Sequence, residues 1–449
     1  MKRAVVLAWL AMALPTVGWA ANGQVTVREA VTRALEHNHL LKAAEYERRA
    51  AGKDVAISRS RYFPRIYLNE TLAASNSPTA VFMMKLNQGR FTQDNFDFPN
   101  LNHLNHPGHY NDFQTAFTLE QPLLDFSIGS GLDIARKEED ARGFALEKRR
   151  QEVTFQVYQT YLEVQKARAY LKTADQAVLD AREHQRLATV RNEAGVGLRS
   201  DELRARTYLS EMEQQEITAG NNLLLAKLRL GQAMGSDDGQ SYDIAEDVQP
   251  WQPPVDTNRM ISLALENRQD MKEIEAGVEK AGAGVGLARK AYLPTVYGSA
   301  TYQQNDRDIP FGRDNDAWVV AANLRWEMFD GLRRNSEVGK ARLQQQAAAE
   351  YLESYRSEVV LQVKEASMRR EEAGKRLEVA RHGLLAAEEV VRLVGRRFEN
   401  SISTMTELLD AQTALNQART QMVENESNYA LATARLYQAA GIFLKEVVK

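Results

Sequence analysis

The chain of 449 residues contains no cysteine. That excludes a disulfide framework, a thiolate nucleophile, a cysteine-based metal site and a lipid-modified cysteine at a processed N-terminus. An excess of one charge sign is also missing, since 57 Lys and Arg are interspersed with 60 Asp and Glu for a formal net charge of −3. Such a balance argues against nucleic acid as a partner. Beyond the first 21 residues there is no run of 18 apolar residues, so no later helix is fit to span a bilayer. If the chain enters a membrane, it does so by strands. Neither a glycine-rich phosphate loop nor a nucleophile-base grouping is present, and nothing points to an enzyme, a cofactor or a resident metal.

What is present begins with "MKRAVVLAWLAMALPTVGWAA" at 1–21: two basic residues, an apolar core from Ala4 to Leu14, then Pro15 and the small-x-small end Gly18-Trp19-Ala20. This is the three-part pattern of a secretory signal peptide, with cleavage expected after Ala20 or Ala21. A membrane anchor suits so short an apolar run less well. The remainder is expected to leave the cytoplasm.

The chain repeats itself. "YFPRIY" at 62–67 matches "YLPTVY" at 292–297 at an offset of 230, and "ALE" at 34–36 matches "ALE" at 264–266 at the same offset. "LEQPLLD" ending at Asp125 matches "LRWEMFD" ending at Asp330 at an offset of 205, so about 25 residues are extra in the first half, in a loop between roughly Ala74 and Tyr110. From "EVTFQV" (152–157) against "EVVLQV" (358–363) to "GQAMG" (231–235) against "YQAAG" (437–441) the offset is 206. The expected organisation is a leader at 1–21, a first repeat at 22–235, a linker at 236–256 and a second repeat at 257–449. Each repeat reads helix, hairpin, long helix, break, returning helix.

The long helices carry a heptad seam. Val164, Ala167, Leu171, Ala174, Val178 and Ala181 follow 3-4 spacing, as do Leu377, Ala380, Leu384, Ala387, Val391 and Val394. Repeated alanine lets helices approach closely, and so narrow a stripe suits a coiled coil better than a globular core. Asp133 to Arg191 is free of proline and, at about 1.5 Å per residue, reaches roughly 90 Å. The returning helix, Asp201 to Ala233, covers about half of that, so the leading helix, Val27 to Tyr62, is expected to stack end to end with it.

The hairpins alternate with period two. Phe113, Thr115, Phe117 and Leu119 interleave with Gln114, Ala116, Thr118 and Glu120, and Trp318, Val320, Ala322, Leu324, Trp326 and Met328 interleave with more polar neighbours. Trp318 and Trp326 are eight residues apart, about 26 Å along a strand, close to the spacing of the aromatic girdles of an outer-membrane barrel. A soluble two-layer sheet is the competing reading. Four strands are expected, at about Arg65–Ala73, Asp112–Glu120, Thr295–Gln303 and Ala317–Met328. An open sheet of four cannot sit in hydrocarbon, because its edges leave N–H and C=O groups unpaired. Bacterial barrels begin at about eight strands, so the chain is expected to assemble, and a trimer closes twelve.

Taken together, the duplicated plan, the "YFPRIY" and "YLPTVY" junctions, "EQPLLD" and "WEMFDG" at strand-to-helix returns, "AGVGL" at 194–198 and "TELLDA" at 406–411 resemble the TolC family of outer-membrane efflux channels. The resemblance covers nearly the whole chain after the leader. It implies a mainly α fold with a β-barrel part: a homotrimer whose long antiparallel coiled-coil helices form a periplasmic α-barrel below a shared 12-stranded transmembrane barrel. The implied partners are outer-membrane lipid, a periplasmic adaptor and an inner-membrane pump, with no nucleic acid. The competing class is a periplasmic coiled-coil scaffold or adaptor without a barrel. Adaptors of this kind have one helical hairpin flanked by β-rich domains, for which this chain has little room.

The same resemblance assigns two helical turns to the periplasmic mouth, where the adaptor docks: Gly195, Val196, Gly197 and Leu198, and the glycine-free Ser401, Ile402 and Ser403. It assigns Glu407 and Asp410 to an acidic pore ring, which attracts cations and repels anions. Ser403 stands where some members have arginine and Phe398 where some have tyrosine, so their latch is not written here. A plain coiled-coil turn is the structural alternative for the tips. Thr404-Met405-Thr406-Glu407 also fits a capping box, which accounts for Glu407 but leaves Asp410 beyond capping reach. His103, His106 and His109 are regularly spaced, yet Pro107 and Gly108 break any helix that would align them as metal ligands.

Overall fold

The computed structural model describes residues 24–95, 101–236, 239, 241–245, 247–248 and 256–447. The leader read at 1–21 lies outside the described residues. The helices are α1 Val27–His37, α2 His39–Ser60, α3 Pro78–Asn87, α4 Leu101–Asn105, α5 Phe126–Glu193, α6 Arg199–Ala233, α7 Thr257–Asn267, α8 Gln269–Lys290, α9 Arg333–Glu399, α10 Met405–Ala439 and α11 Phe443–Val447. The strands are β1 Gln24–Val25, β2 Arg65–Ser75, β3 Tyr110–Leu124, β4 Asp243–Ile244, β5 Thr295–Asp306 and β6 Asn315–Arg325. Two compact units result. One gathers the described parts of 1–42, 149–268 and 359–449, and the other 43–148 and 269–358.

The first unit is mainly helical and holds α5 from residue 149 and α9 from residue 359 onward. In full these two helices run for 68 and 67 residues, about 100 Å each, and α6 and α10 return for 35 each. The α9 seam read from the sequence is half-buried while most residues between its positions are exposed, so one narrow stripe does the packing. Small residues dominate the contacts: Ala167, Ala226 and Ala233 with Val157, Tyr161 and Leu230 in one core, and Ala177, Ala181, Ala188 and Ala205 with Met405 and Leu408 in another. Each fully buried Val or Leu contributes about 1.5–3 kcal/mol, and the alanines let the backbones close up around them.

The leading helix departs from expectation, being broken at Asn38 rather than continuous to Tyr62. Thr26 and Glu29 start α1 with a complete capping box, the Glu29 N–H donating to Thr26 Oγ1 (3.2 Å) and the Thr26 N–H to Glu29 Oε2 (2.9 Å). Asn38 then turns to extended backbone. Its side-chain oxygen accepts from the Leu40 N–H (3.0 Å) to restart α2, and its amide donates to the Ala233 carbonyl (3.3 Å) at the end of α6. Gly235, at φ +79°, completes the joint, since a Cβ there falls 2.8 Å from the His37 carbonyl carbon. The α7–α8 break at Arg268 is built likewise, its guanidinium donating to Gln362 (2.7 Å) and the Ala439 carbonyl (3.4 Å). Periodicity does not reveal these breaks because the apolar pattern runs through them.

The linker read at 236–256 contributes β4, which pairs in parallel with β1. Asp243 accepts from Lys227 Nζ (2.8 Å) and from Arg168, whose guanidinium also reaches the Ile244 carbonyl (2.7 Å). Burial would raise the Asp243 pKa, but these hydrogen bonds outweigh it and hold the carboxyl below the usual range.

The second unit carries one antiparallel sheet in the order β2-β3-β5-β6. Pro64 and Pro294 stand just before β2 and β5, where a missing N–H removes no ladder bond. β6 stops at Arg325, paired with Thr295, three residues short of the expected Met328, because β5 offers no partner beyond it. Trp326 therefore lies one residue past the strand, its indole donating to the Tyr292 carbonyl (3.1 Å). Register separates two faces. One joins Ile66, Leu68 and Leu72 to Leu119, Phe117 and Phe113 and onward to Ala300, Tyr302, Val320 and Trp318. It is open in the single chain, with Ile66 and Trp318 at 73% exposure and Val320 at 71%. The opposite face is polar: Thr118 and Thr301 hydroxyls meet at 3.1 Å, and Gln114 donates to Gln303 (3.1 Å).

The sequence repeat at Asp125 and Asp330 has a local cause. Asp125 caps α5, accepting from the Ser127 N–H (2.9 Å) and hydroxyl (2.6 Å) and from the Tyr297 hydroxyl (2.7 Å). Asp330 accepts from the Arg334 N–H (3.0 Å) and guanidinium (2.8 Å) at the start of α9. Burial would raise the Asp125 pKa, yet the Ser127 and Tyr297 hydrogen bonds prevail and lower it. Its stabilisation is therefore complete above the ordinary carboxylate value and lost as pH falls through the lower folded value. Replacing Asp125 with Ala is expected to cost about 1 kcal/mol at neutral pH. Thermal unfolding of wild type and Asp125→Ala across pH checks this: the difference should shrink in acid.

Candidate functional site: two helical turns and the acids beyond them

Both turns belong to the helical unit, and both are C-terminal motifs that need one left-handed residue. In the first, α5 ends at Glu193, the Gly195 N–H donates to the Asn192 carbonyl (3.0 Å) and the Val196 N–H to the Arg191 carbonyl (3.0 Å). Gly195 sits at φ +73°. In the second, α9 ends at Glu399, the Ser401 N–H donates to the Phe398 carbonyl (3.0 Å) and the Ile402 N–H to the Arg397 carbonyl (2.7 Å). Ser401 takes the same conformation at φ +62° without being glycine. Gly197 is needed for space, since a Cβ there meets Arg191 Cβ at 2.9 Å and backbone atoms of Arg191 and Asn192 at 3.0 Å.

The apolar side chains of both turns point to solvent: Val196, Leu198 and Ile402 are each about two-thirds exposed. Phe398, in contrast, is a core residue at 6% exposure, packed with Ala188, Tyr208 and Met405. Its lack of a hydroxyl is consistent with that apolar setting.

Arg191, which no motif marks, joins the two turns. Its guanidinium donates to the Phe398 carbonyl (3.1 Å), the Glu399 carbonyl (3.4 Å) and the Ser401 hydroxyl (2.7 Å), and lies 4.9 Å from the centre of the Phe398 ring. It thus satisfies the bare carbonyls at the end of α9, where a cation is favoured by the helix dipole. A basic residue in the last turn of α5 was the available signal. Higher up, Asp180 accepts from Gln412 (2.9 Å) and Arg419 (3.1 Å), and Asn416 donates to the Tyr208 hydroxyl (3.0 Å). Burial raises the Tyr208 pKa.

The two acids differ in what their carboxylates meet. Thr404 Oγ1 accepts from the Glu407 N–H (3.2 Å), which is half of the expected capping box. The other half is absent: the Glu407 carboxylate accepts from the Ser403 hydroxyl instead of the Thr404 N–H. Asp410 is exposed one turn on and, among the described residues, has no hydrogen-bond or ion-pair partner. His103 lies in α4, with His106 and His109 in the segment after it. Among the described residues no three His, Asp or Glu are grouped to hold a metal ion. No described helix is long and apolar enough to cross a membrane.

Comparison with known proteins matches residues 30–236 and 260–442 to the outer membrane efflux protein family. The chain belongs to that family, a family of outer-membrane channels rather than enzymes. Protein CyaE of Bordetella pertussis is 28% identical over 202 residues, 43% of this chain and 42% of its own length, so the chain spans less than half of that relative. The proteases secretion protein PrtF of Dickeya chrysanthemi is 23% identical over 457 residues, 98% of this chain and 93% of its own. Among solved structures, CusC superimposes with a TM-score of 0.78 at 17% identity over 93% of this chain and 92% of its own, a likeness of fold.

Arg191→Ala is expected to release the second turn, raising amide exchange at 398–403 by about tenfold through loss of a charged hydrogen bond. Gly197→Ala should loosen the first turn by about 1–3 kcal/mol through overpacking, with faster exchange confined to 190–200. Hydrogen exchange read by mass spectrometry checks both; unchanged protection at either turn would refute the corresponding assignment.

Proposed function

We propose that three copies of this chain close a 12-stranded barrel in the outer membrane and continue as a helical tunnel into the periplasm, through which substrates delivered by an inner-membrane pump leave passively. The observation that carries this is the sheet itself. It has an open apolar face, a polar opposite face and, among the described residues, two unpaired edges, β2 and β6. In hydrocarbon those edges must be paired, and only closure with further copies does so. Trp318 and Trp326 then serve as girdle residues. Export through a cleaved leader belongs to the same reading.

The turns carry the other two parts of the proposal. Val196, Leu198 and Ile402 offer apolar knobs to a helical hairpin of a periplasmic adaptor, with Gly195, Gly197, Ser401 and Ser403 shaping the backbone around them. Glu407 and Asp410, three copies each, form the acidic ring of the mouth. Asp410 is the stronger member because its carboxylate is uncommitted, whereas that of Glu407 is engaged by Ser403.

Leu198→Glu and Val196→Glu are expected to abolish adaptor cross-linking and efflux at normal levels of heat-modifiable trimer, since a charge in an apolar contact costs several kcal/mol. In planar bilayers Asp410→Ala should reduce cation selectivity and block by divalent cations more than Glu407→Ala does. Equal selectivity in wild type and Asp410→Ala would remove Asp410 from the pore.

A further inference from the structure

The 25-residue excess of the first hairpin loop is not a plain loop. It contains α3, and the segment from Pro78 to Arg90 crosses the polar face of the sheet at its loop end. The strand side chains that hold this strap lie on that face. Lys85 Nζ lies 5.5 Å from the centre of the Tyr110 ring, at the start of β3. Gln88, only 1% exposed, donates to the Asn111 carbonyl (2.9 Å) and to Asp112 Oδ1 (2.8 Å), and Asp112 in turn accepts from Asn305 of β5 (2.9 Å). Gly89 lies over Asn315, the first residue of β6, whose side chain is 3.5 Å from where a Cβ would stand. The register puts Asp112, Asn305 and Asn315 on the polar face: Asn305 pairs with Gln114 and with Asn315, and Asp112 is two residues from Gln114.

The strap thus spans from β3 to β6, about 10 Å across the sheet at the usual strand spacing. Its far end is tied down. Arg90 donates to Asp314 Oδ2 (2.6 Å) and Asp308 Oδ2 (3.2 Å), both in the β5–β6 connection. A loop that merely decorated the outside would have no reason to bury a glutamine amide against strand residues of the polar face. Burying so polar a side chain is tolerable only because its N–H groups are matched there.

We infer that Pro78–Arg90 is a strap across the outer mouth of the channel, which narrows that mouth and limits the size of solute that passes it. The inference rests on the channel reading, in which the polar face lines the lumen. Three straps, one from each chain, then project from the wall at one level. This constriction belongs to the unit that carries the sheet, and its fastening, Gln88 and Arg90, is set by the chain's own loop.

Because the chain has no cysteine, a single thiol reports access cleanly. Thr301→Cys sits on the polar face of β5, further from the connecting loops than Asn305, and Ala300→Cys is its neighbour on the apolar face. Whole cells bearing Thr301→Cys are treated with membrane-impermeant maleimides, one small and one carrying a bulky polymer, and labelling is followed in the outer-membrane fraction. With the strap intact the small reagent should react and the bulky one scarcely. Adding Gln88→Ala and Arg90→Ala should speed the bulky reagent by at least about tenfold, the factor for losing hydrogen bonds to buried or charged partners, with the small reagent unchanged. Arg90→Ala alone, a change at a partly exposed side chain, should give an intermediate rate and serves if the double variant fails to reach the membrane. Equal bulky-reagent rates with and without the fastening would overturn the strap. No reaction of Thr301→Cys with the small reagent, or faster reaction of Ala300→Cys, would instead overturn the lumen assignment beneath it.

Discussion

Among the described residues the outer edges of β2 and β6 are unpaired, and the proposed assembly hangs on that constraint. A four-stranded sheet with one open apolar face is stable in water only if that face is covered, and in lipid only if its edges are paired. In the proposed assembly, closure by further copies meets both demands at once. It also explains why the apolar face is continuous from Ile66 to Trp318 while the opposite face keeps its hydroxyls and amides in mutual hydrogen bonds. The β-strand alternation is therefore a statement about the surroundings of the sheet on both sides.

The helical unit solves a different problem with a narrower surface. A coiled-coil seam of alanine and valine buries little area per residue, so specificity comes from polar fastenings set into it. Asp180 with Gln412 and Arg419, Asp243 with Arg168 and Lys227, and Arg191 with the end of α9 each tie segments far apart in sequence. Such fastenings are costly if half made, because a lone buried charge or amide is then left without partner. They hold one helix register against its neighbours, which an alanine stripe by itself permits to slide.

Much of this was legible. The strands, the repeats, the seam and the two turns follow from spacing that a reader can count. The breaks at Asn38 and Arg268 were not legible, because the apolar pattern continues through them and the cause is the end of another helix arriving there. The early stop of β6 is likewise not written in its alternation, since its ladder ends where β5 runs out at Thr295. At the site, the capping distance separates Glu407 from Asp410, while the partner of the Glu407 carboxylate, Ser403, depends on the course of the turn.

The sequence by itself determined the period of each segment, hence which side chains share a face, and the residues that interrupt it: proline before the strands, Gly195 in the first turn, aspartate at the starts of α5 and α9. These are local matters of backbone geometry. Only the tertiary structure decided what each face and each loose end meets. Arg191 reaches carbonyls more than 200 residues away, and Gln88 is buried against Asp112. Hydrogen bonds of this kind are directional and short-ranged, so they exist only once packing has brought their partners within about 3 Å, and no periodicity announces them.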